Sequence, residues 1–140
     1  TIHMFPGKQA YLKKDAHIGH GAIIHGAHIG QNVMIGMNAV IMDDVQIGEN
    51  SIIGALSFVK AGMDIAPNQL VVGNPAKVIK TLSEEMIAWK SKGTALYQKL
   101  PQEMKTHWEP CEPLREKPKN PPSQDTLFST WLSIKNEKKS

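Results

Sequence analysis

Five of the six histidines fall within the first 28 residues: His3, His17, His20, His25 and His28. Imidazole both ligates transition metals and moves protons near neutral pH, so the first question is which of these rings can meet. Zinc asks for ring nitrogens at about 2.0–2.1 Å, and three histidines with an open fourth position form a catalytic rather than a structural arrangement. An ion so held brings the pKa of its water towards about 7 and delivers hydroxide to a carbonyl carbon. Spacing singles out three of the five rings: His20 and His25 are five residues apart, and His3 and His25 are 22 apart. Those intervals take their meaning from the elements that carry them.

An aliphatic residue returns every six positions at Ile29, Ile35, Ile41, Ile47, Ile53, Val59, Ile65 and Val71. Ile18 and Ile24 continue the series backwards, with one residue deleted between Ile24 and Ile29. Glycine follows at Gly19, Gly30, Gly36, Gly48 and Gly54, and a small or branched residue stands four places on at Ala22, Val33, Ala39, Val45, Ser51 and Ser57. A helix would need its apolar stripe at three and four, so a period of six excludes it. The pattern predicts an all-β solenoid, a parallel β-helix shaped as a triangular prism with about eighteen residues per coil and coils about 4.8 Å apart. Ile35, Ile53 and Val71 then stack as one inward ladder. Ile18 to about Val72 gives room for three coils, and Thr1 to Ala16 reads as the end of an earlier coil interrupted by a loop at Phe5-Pro6-Gly7-Lys8, with a polar run Lys13-Lys14-Asp15. So few coils leave the first sheet edge uncovered. Together with a start at Thr1 rather than Met, this predicts the C-terminal two-thirds of a longer, N-terminally truncated prism.

On that frame His20 and His25 sit around a corner from each other, where one chain cannot bring both rings to one ion. Two prisms packed side by side can, with His25 from one and His20 from the next. His3 precedes His25 by one coil plus a four-residue insertion, which sets the two one strand spacing apart on the same face. His17 and His28 read as solvated surface rings or as the rim of the site. Met37 and Asn38 follow the histidine-bearing coil and can line a pocket; Met34, Met42 and Met63 read as filler, and Asn38 and Asn50 as turn residues.

Val72-Gly73-Asn74-Pro75-Ala76-Lys77 stops the solenoid, dividing a β-helical region over 1–80, with an inserted loop near 4–16, from a helical segment over 81–100. Thr81 and Glu84 form a capping box, Leu82, Met86 and Trp89 an apolar stripe that makes Trp89 a core residue, and Lys90, Lys92 and Gly93 a stop. Thr94 to Leu100 reads as a second short helix. Residues 101–140 form a tail rich in proline and charge, in which Leu127, Phe128, Trp131 and Leu132 can dock as a short amphipathic helix. Helix and tail together read as a cap on the solenoid, with shaping of the substrate entrance as the alternative. The lone Cys111 makes no internal disulfide and reads as an inert thiol. A formal charge of +3 on 140 residues is no nucleic-acid footprint, and no apolar run reaches the length of a membrane span, so the expected address is the cytoplasm.

The repeat and the histidines are similar to the γ-class carbonic anhydrase-like hexapeptide-repeat family, in particular its phenylacetate-degradation and carnitine-operon branches. The resemblance rests on His17-Ile-Gly-His-Gly-Ala-Ile-Ile-His-Gly26, Ile35-Gly-Met-Asn-Ala-Val-Ile-Met-Asp43, Ser57-Phe-Val-Lys-Ala-Gly62, Val72-Gly-Asn-Pro-Ala-Lys77 and Glu112-Pro-Leu-Arg-Glu116, and runs from Thr1 to about Glu116. It implies a left-handed β-helix, a homotrimer, and a Zn(2+) site at each interface held by His3 and His25 of one subunit and His20 of the next. The family's first coils, with an Arg, an Asp and a Gln around the metal, have no counterpart in these residues. The resemblance implies zinc-dependent hydrolysis of an acyl-CoA thioester by metal-bound hydroxide. CO2 hydration, metal-free acyl transfer with a histidine base, and a non-catalytic accessory role in carnitine and CoA metabolism are the alternatives.

Overall fold

Each six-residue unit presents one aliphatic residue that must leave water and one corner that must turn, and three such units close a triangle. The computed structural model, which describes residues 1–120 and 128–138, builds four coils on this rule. Coil one is β1 (Ile2–His3), β2 (Tyr11–Leu12) and β3 (His17–Ile18); coil two is β4 (Ile23–His25), β5 (His28–Ile29) and β6 (Met34–Ile35). β7 (Val40–Ile41), β8 (Gln46–Ile47) and β9 (Ile52–Ile53) make coil three, and β10 (Phe58–Val59), β11 (Asp64–Ile65) and β12 (Gln69–Gly73) coil four. The strands stack in parallel into three sheets ordered β1-β4-β7-β10, β2-β5-β8-β11 and β3-β6-β9-β12. The three coils read between Ile18 and Val72 are present, and the residues before them, read as the end of an earlier coil, form another. Tyr11 and Leu12, expected within an interruption, form a strand in register with His28 and Ile29.

The core is three inward ladders. Ile24, Ile41 and Val59 form one, Ile29, Ile47 and Ile65 the second, and Ile35, Ile53 and Val71 the third, all at most 4% exposed. Burying each such side chain stabilises the fold by about 1.5–3 kcal/mol. Buried hydroxyls close the last coil: Ser51 Oγ donates to the Ala66 carbonyl (3.1 Å) and accepts from Gln69 N–H (3.1 Å), and Ser57 Oγ accepts from Gly73 N–H (3.2 Å). Among the described residues no buried side-chain polar atom lacks a partner.

Corners repeat too. Asp15, Asn32, Asn50 and Asn68 hold φ of 60°, 55°, 59° and 61°, the left-handed region that asparagine and aspartate tolerate best among residues with a Cβ. Their amides link the coils: Asn32 Nδ2 donates to Asn50 Oδ1 (2.9 Å) and Asn50 Nδ2 to Asn68 Oδ1 (3.0 Å). At Gly36 a Cβ would lie 2.4 Å from the backbone nitrogen of Ala55, so only glycine lets the next coil approach.

Past the prism the chain departs from expectation. Gly73 does not lead directly into a helix: β13 (Ala76–Thr81) first folds back antiparallel on β12, with a bulge between Leu70 and Val71. The helix cap is Ser83, whose Oγ accepts from Met86 N–H at 3.3 Å, whereas Thr81 pairs across the hairpin with Gln69. One helix, α1 (Glu84–His107), replaces the two expected, running through Gly93 and Pro101. Its buried residues are Lys90 and Thr94, and Trp89 is only half-buried. Contacts divide the chain into two units, Thr1–Thr94 and Ala95–Ser140. The second contains the rest of α1 and a short helix, α2 (Trp131–Glu137), capped by Thr130 Oγ1, which accepts from Ser133 N–H. Phe128, Trp131 and Leu132 belong to this region; Leu127 lies outside the described residues. Cys111 is exposed. No helix among the described residues is long and apolar enough to cross a membrane.

Candidate functional site

β1 and β4 are neighbours, and their register opposes His3 to His25. Their ring centroids lie 5.2 Å apart with planes tilted by 36°. The insertion before β2 is what makes this register consistent with a spacing of 22. From the opposite side Asp43 reaches back across the coil boundary, and its Oδ1 lies 2.9 Å from His25 Nδ1. Both side chains retain 19% exposure, enough shielding to strengthen the bond and enough access for a ligand. The deletion after His25 makes this coil seventeen residues long, with Ile24 opposite Ile41, so Asp43 lies one place beyond the residue opposite His25. That same arithmetic, which orders the aliphatic ladders, locates Asp43 once applied to histidine; judged on histidine spacing alone, it is missed.

Room for the carboxylate comes from a glycine. Gly26 holds φ +61°, and a Cβ there would sit 2.6 Å from Asp43 Oδ1. Phe5 completes the cluster, edge-on to His25 with centroids 4.9 Å apart and planes at 80°.

His20 occupies the corner between β3 and β4, exposed, its carbonyl accepting from Asn38 N–H at 2.9 Å. Within one chain the described residues bring no three His, Cys, Asp or Glu side chains together around a metal position. His3 and His25 meet; His20 does not join them in the same chain. His17 is not a solvated ring: half-buried, its Nδ1 lies 3.1 Å from Thr94 Oγ1 on α1. Burial, then the charge of Lys90, then His20 hold its pKa below the usual histidine range. Lys90 itself is 2% exposed, with Nζ donating to the carbonyl and Oδ1 of Asn32. Burial pushes its pKa down to about 8, partly opposed by Asp15. His28 packs edge-on against Tyr11 at 4.8 Å, in a groove of about 520 Å³ along β2, β5, β8 and β11 that also involves Gln46, Asp64 and Pro67. Met37 and Asn38, the expected pocket-lining pair, are exposed and take no part in that groove.

Residues 26–61 match the family model described as bacterial transferase hexapeptide (six repeats). Carnitine operon protein CaiE of Salmonella agona is 40% identical over 121 residues, covering 86% of this chain and 61% of CaiE. This is a hexapeptide-repeat protein. The hexapeptide-repeat chain thus spans about 61% of the length of the curated relatives it matches. Among solved structures it is similar to a proposed acetyltransferase, the BC4754 gene product of Bacillus cereus (37% identity, TM-score 0.72, 75% of this chain and 61% of that one). It is also similar to a galactoside acetyltransferase in complex with coenzyme A (27% identity, TM-score 0.53, 60% of this chain and 50% of that one). The second of these is an acetyltransferase and the first a proposed one, whereas zinc-held hydroxide would make a hydrolase.

Proposed function

We propose that this hexapeptide-repeat chain carries the reaction centre of an acyl-CoA-dependent transferase, in which His25 handles the proton. The hydrogen bond from His25 to Asp43 carries the reading. A carboxylate at Nδ1 fixes the ring's tautomer and orientation, leaves Nε2 as the base, and stabilises the imidazolium once formed. Nε2 takes the proton of an acceptor hydroxyl or amine as that atom attacks the thioester carbonyl carbon. The carbon–sulfur bond then breaks, and the proton passes to the departing CoA sulfur. Likeness to two acetyltransferase structures, one bound to coenzyme A, supports a CoA thioester as donor.

Zinc-dependent hydrolysis is the second reading, favoured by the adjacency of the His3 and His25 rings. Metal-bound histidines regularly give their other nitrogen to a carboxylate, as His25 does to Asp43. His3 and His25 of one subunit and His20 of a neighbour would hold the ion in a homotrimer. Zinc held there would supply a hydroxide near neutral pH, which suits thioester hydrolysis and CO2 hydration alike.

CoA release by the full chain, measured with and without amine or hydroxyl acceptors and alongside metal content, decides between them. Transfer predicts acceptor-dependent release that survives chelation. Hydrolysis predicts release into water alone, about one zinc per subunit, and loss of both on chelation. No release under either condition removes both readings and leaves an accessory role beside CoA-linked metabolism.

A further inference from the structure

Two histidine–glycine steps flank β4, His20-Gly21 ahead of it and His25-Gly26 at its end. Both glycines hold left-handed backbone, at φ +70° and +61°, and at both a polar side chain of the coil below fills the space a Cβ would take. Under Gly26 that side chain is Asp43. Under Gly21 it is Asn38, whose Oδ1 would overlap a Cβ at residue 21. Asn38 N–H also donates to the His20 carbonyl at 2.9 Å, so one residue grips the step by backbone and side chain together. At the Asn32 corner the amides bond to the asparagine of the next coil. Below Asn38 that place is taken by Leu56, whose N–H donates to the Met37 carbonyl at 2.9 Å and whose side chain has no polar atom to offer. The carboxamide is left to serve the corner above it.

We infer that Asn38 is a positioning residue for His20, setting the direction in which that ring leaves the prism so that it meets the His25 of another copy. This rests on the reading in which His20 completes a neighbour's site. Asp43 acts on the His25 ring itself and lends it charge; Asn38 acts on the backbone that carries His20 and lends none. A glycine step has wide backbone freedom, and without the carboxamide beneath it the corner samples directions that miss the neighbour. The ring is then present but misplaced, which lowers the rate without removing any reacting group.

Mixing of subunits separates this role from damage to the fold, with CoA release from acetyl-CoA by the full chain as the readout. Asn38→Gly keeps the left-handed corner, loses the carboxamide, and is expected to fall about tenfold. Refolded with equal His25→Ala it regains about a quarter of the parental activity, because one ordered neighbouring pair in four joins an intact His25 to an intact His20 corner. Refolded with His20→Ala it stays near about one-twentieth. Damage to the whole subunit impairs its His25 as well and leaves recovery equally low with both partners. Asn38→Asp, which keeps an oxygen under Gly21, retains most of the activity. Gly21→Ala, whose Cβ drives the carboxamide out, repeats the pattern of Asn38→Gly and takes its place where that variant does not refold. Parental activity in Asn38→Gly, or equal recovery with both partners, overturns the role of Asn38 and leaves the shared site standing. Undiminished activity in His20→Ala, or no release by the parent, overturns the two together.

Discussion

With Nδ1 of His25 committed to Asp43 at 2.9 Å, the charge on that carboxylate sets how readily Nε2 takes a proton. Asp43→Asn keeps an oxygen in place but removes the charge, and is expected to lower kcat about 10–100-fold with little change in fold, checked by steady-state kinetics beside circular dichroism. His17 and Lys90 affect stability instead. Each has a folded-state pKa below its ordinary value, so the unfolded chain binds more protons in the interval between the two values, and stability rises with pH there. For Lys90 the interval runs from about 8 to 10.5; for His17 stability is full above 6.5 and falls as pH drops below it. Urea titrations from pH 7.5 to 10.5 should show stability increasing in the parent, with the increase strongly reduced in Lys90→Met. His25 and His3 are legible in the sequence because their intervals are whole coils plus a visible insertion. His17 is not, since its partner Thr94 stands 77 residues away and no local pattern marks it.

At the scale of elements, the corner ladder explains why α1 is misread as an apolar stripe. On its buried side the contacts are polar: Lys90 Nζ binds Asn32 of that ladder, Ser91 Oγ accepts from Asn32 Nδ2 at 2.9 Å, and Thr94 Oγ1 lies 3.1 Å from His17 Nδ1. Apolar periodicity finds this helix after the solenoid but not the polar side it buries. β13 escapes for a related reason, as Val78 and Ile79 are adjacent and both exposed, leaving no alternation to detect. The prism strands, by contrast, follow the six-residue period except at the insertion between β1 and β2 and the deletion between β4 and β5. Asn50 tests the ladder: Asn50→Gly keeps the left-handed corner but loses two amide bonds, costing about 1–2 kcal/mol, and Asn50→Ala adds about 1 kcal/mol of backbone strain. Unfolding midpoints in urea should rank the parent above the glycine variant and the glycine variant above the alanine variant.

For the whole molecule, the decisive question is whether His20 serves the His25 of another copy. In a cyclic trimer with such a shared site, His20→Ala and His25→Ala are each inactive, but subunits mixed after denaturation and refolding regain about a quarter of the parental activity. That share follows because one neighbouring pair in four, taken in order, combines an intact His25 with an intact His20. Undiminished activity in His20→Ala alone assigns the site to single chains, because His20 does not join His25 within one chain.

The prism behaves as a one-dimensional lattice with an eighteen-residue cell, and such a lattice tolerates whole added cells but not fractions of one. Its two fractional defects, the insertion between β1 and β2 and the residue missing between β4 and β5, flank His25 on either side. His25 thus sits at a dislocation in an otherwise regular stack. An eighteen-residue coil added after Val59 should lengthen the prism and leave the histidine's surroundings untouched, whereas restoring the single missing residue near Gly26 should rotate Asp43 away from it.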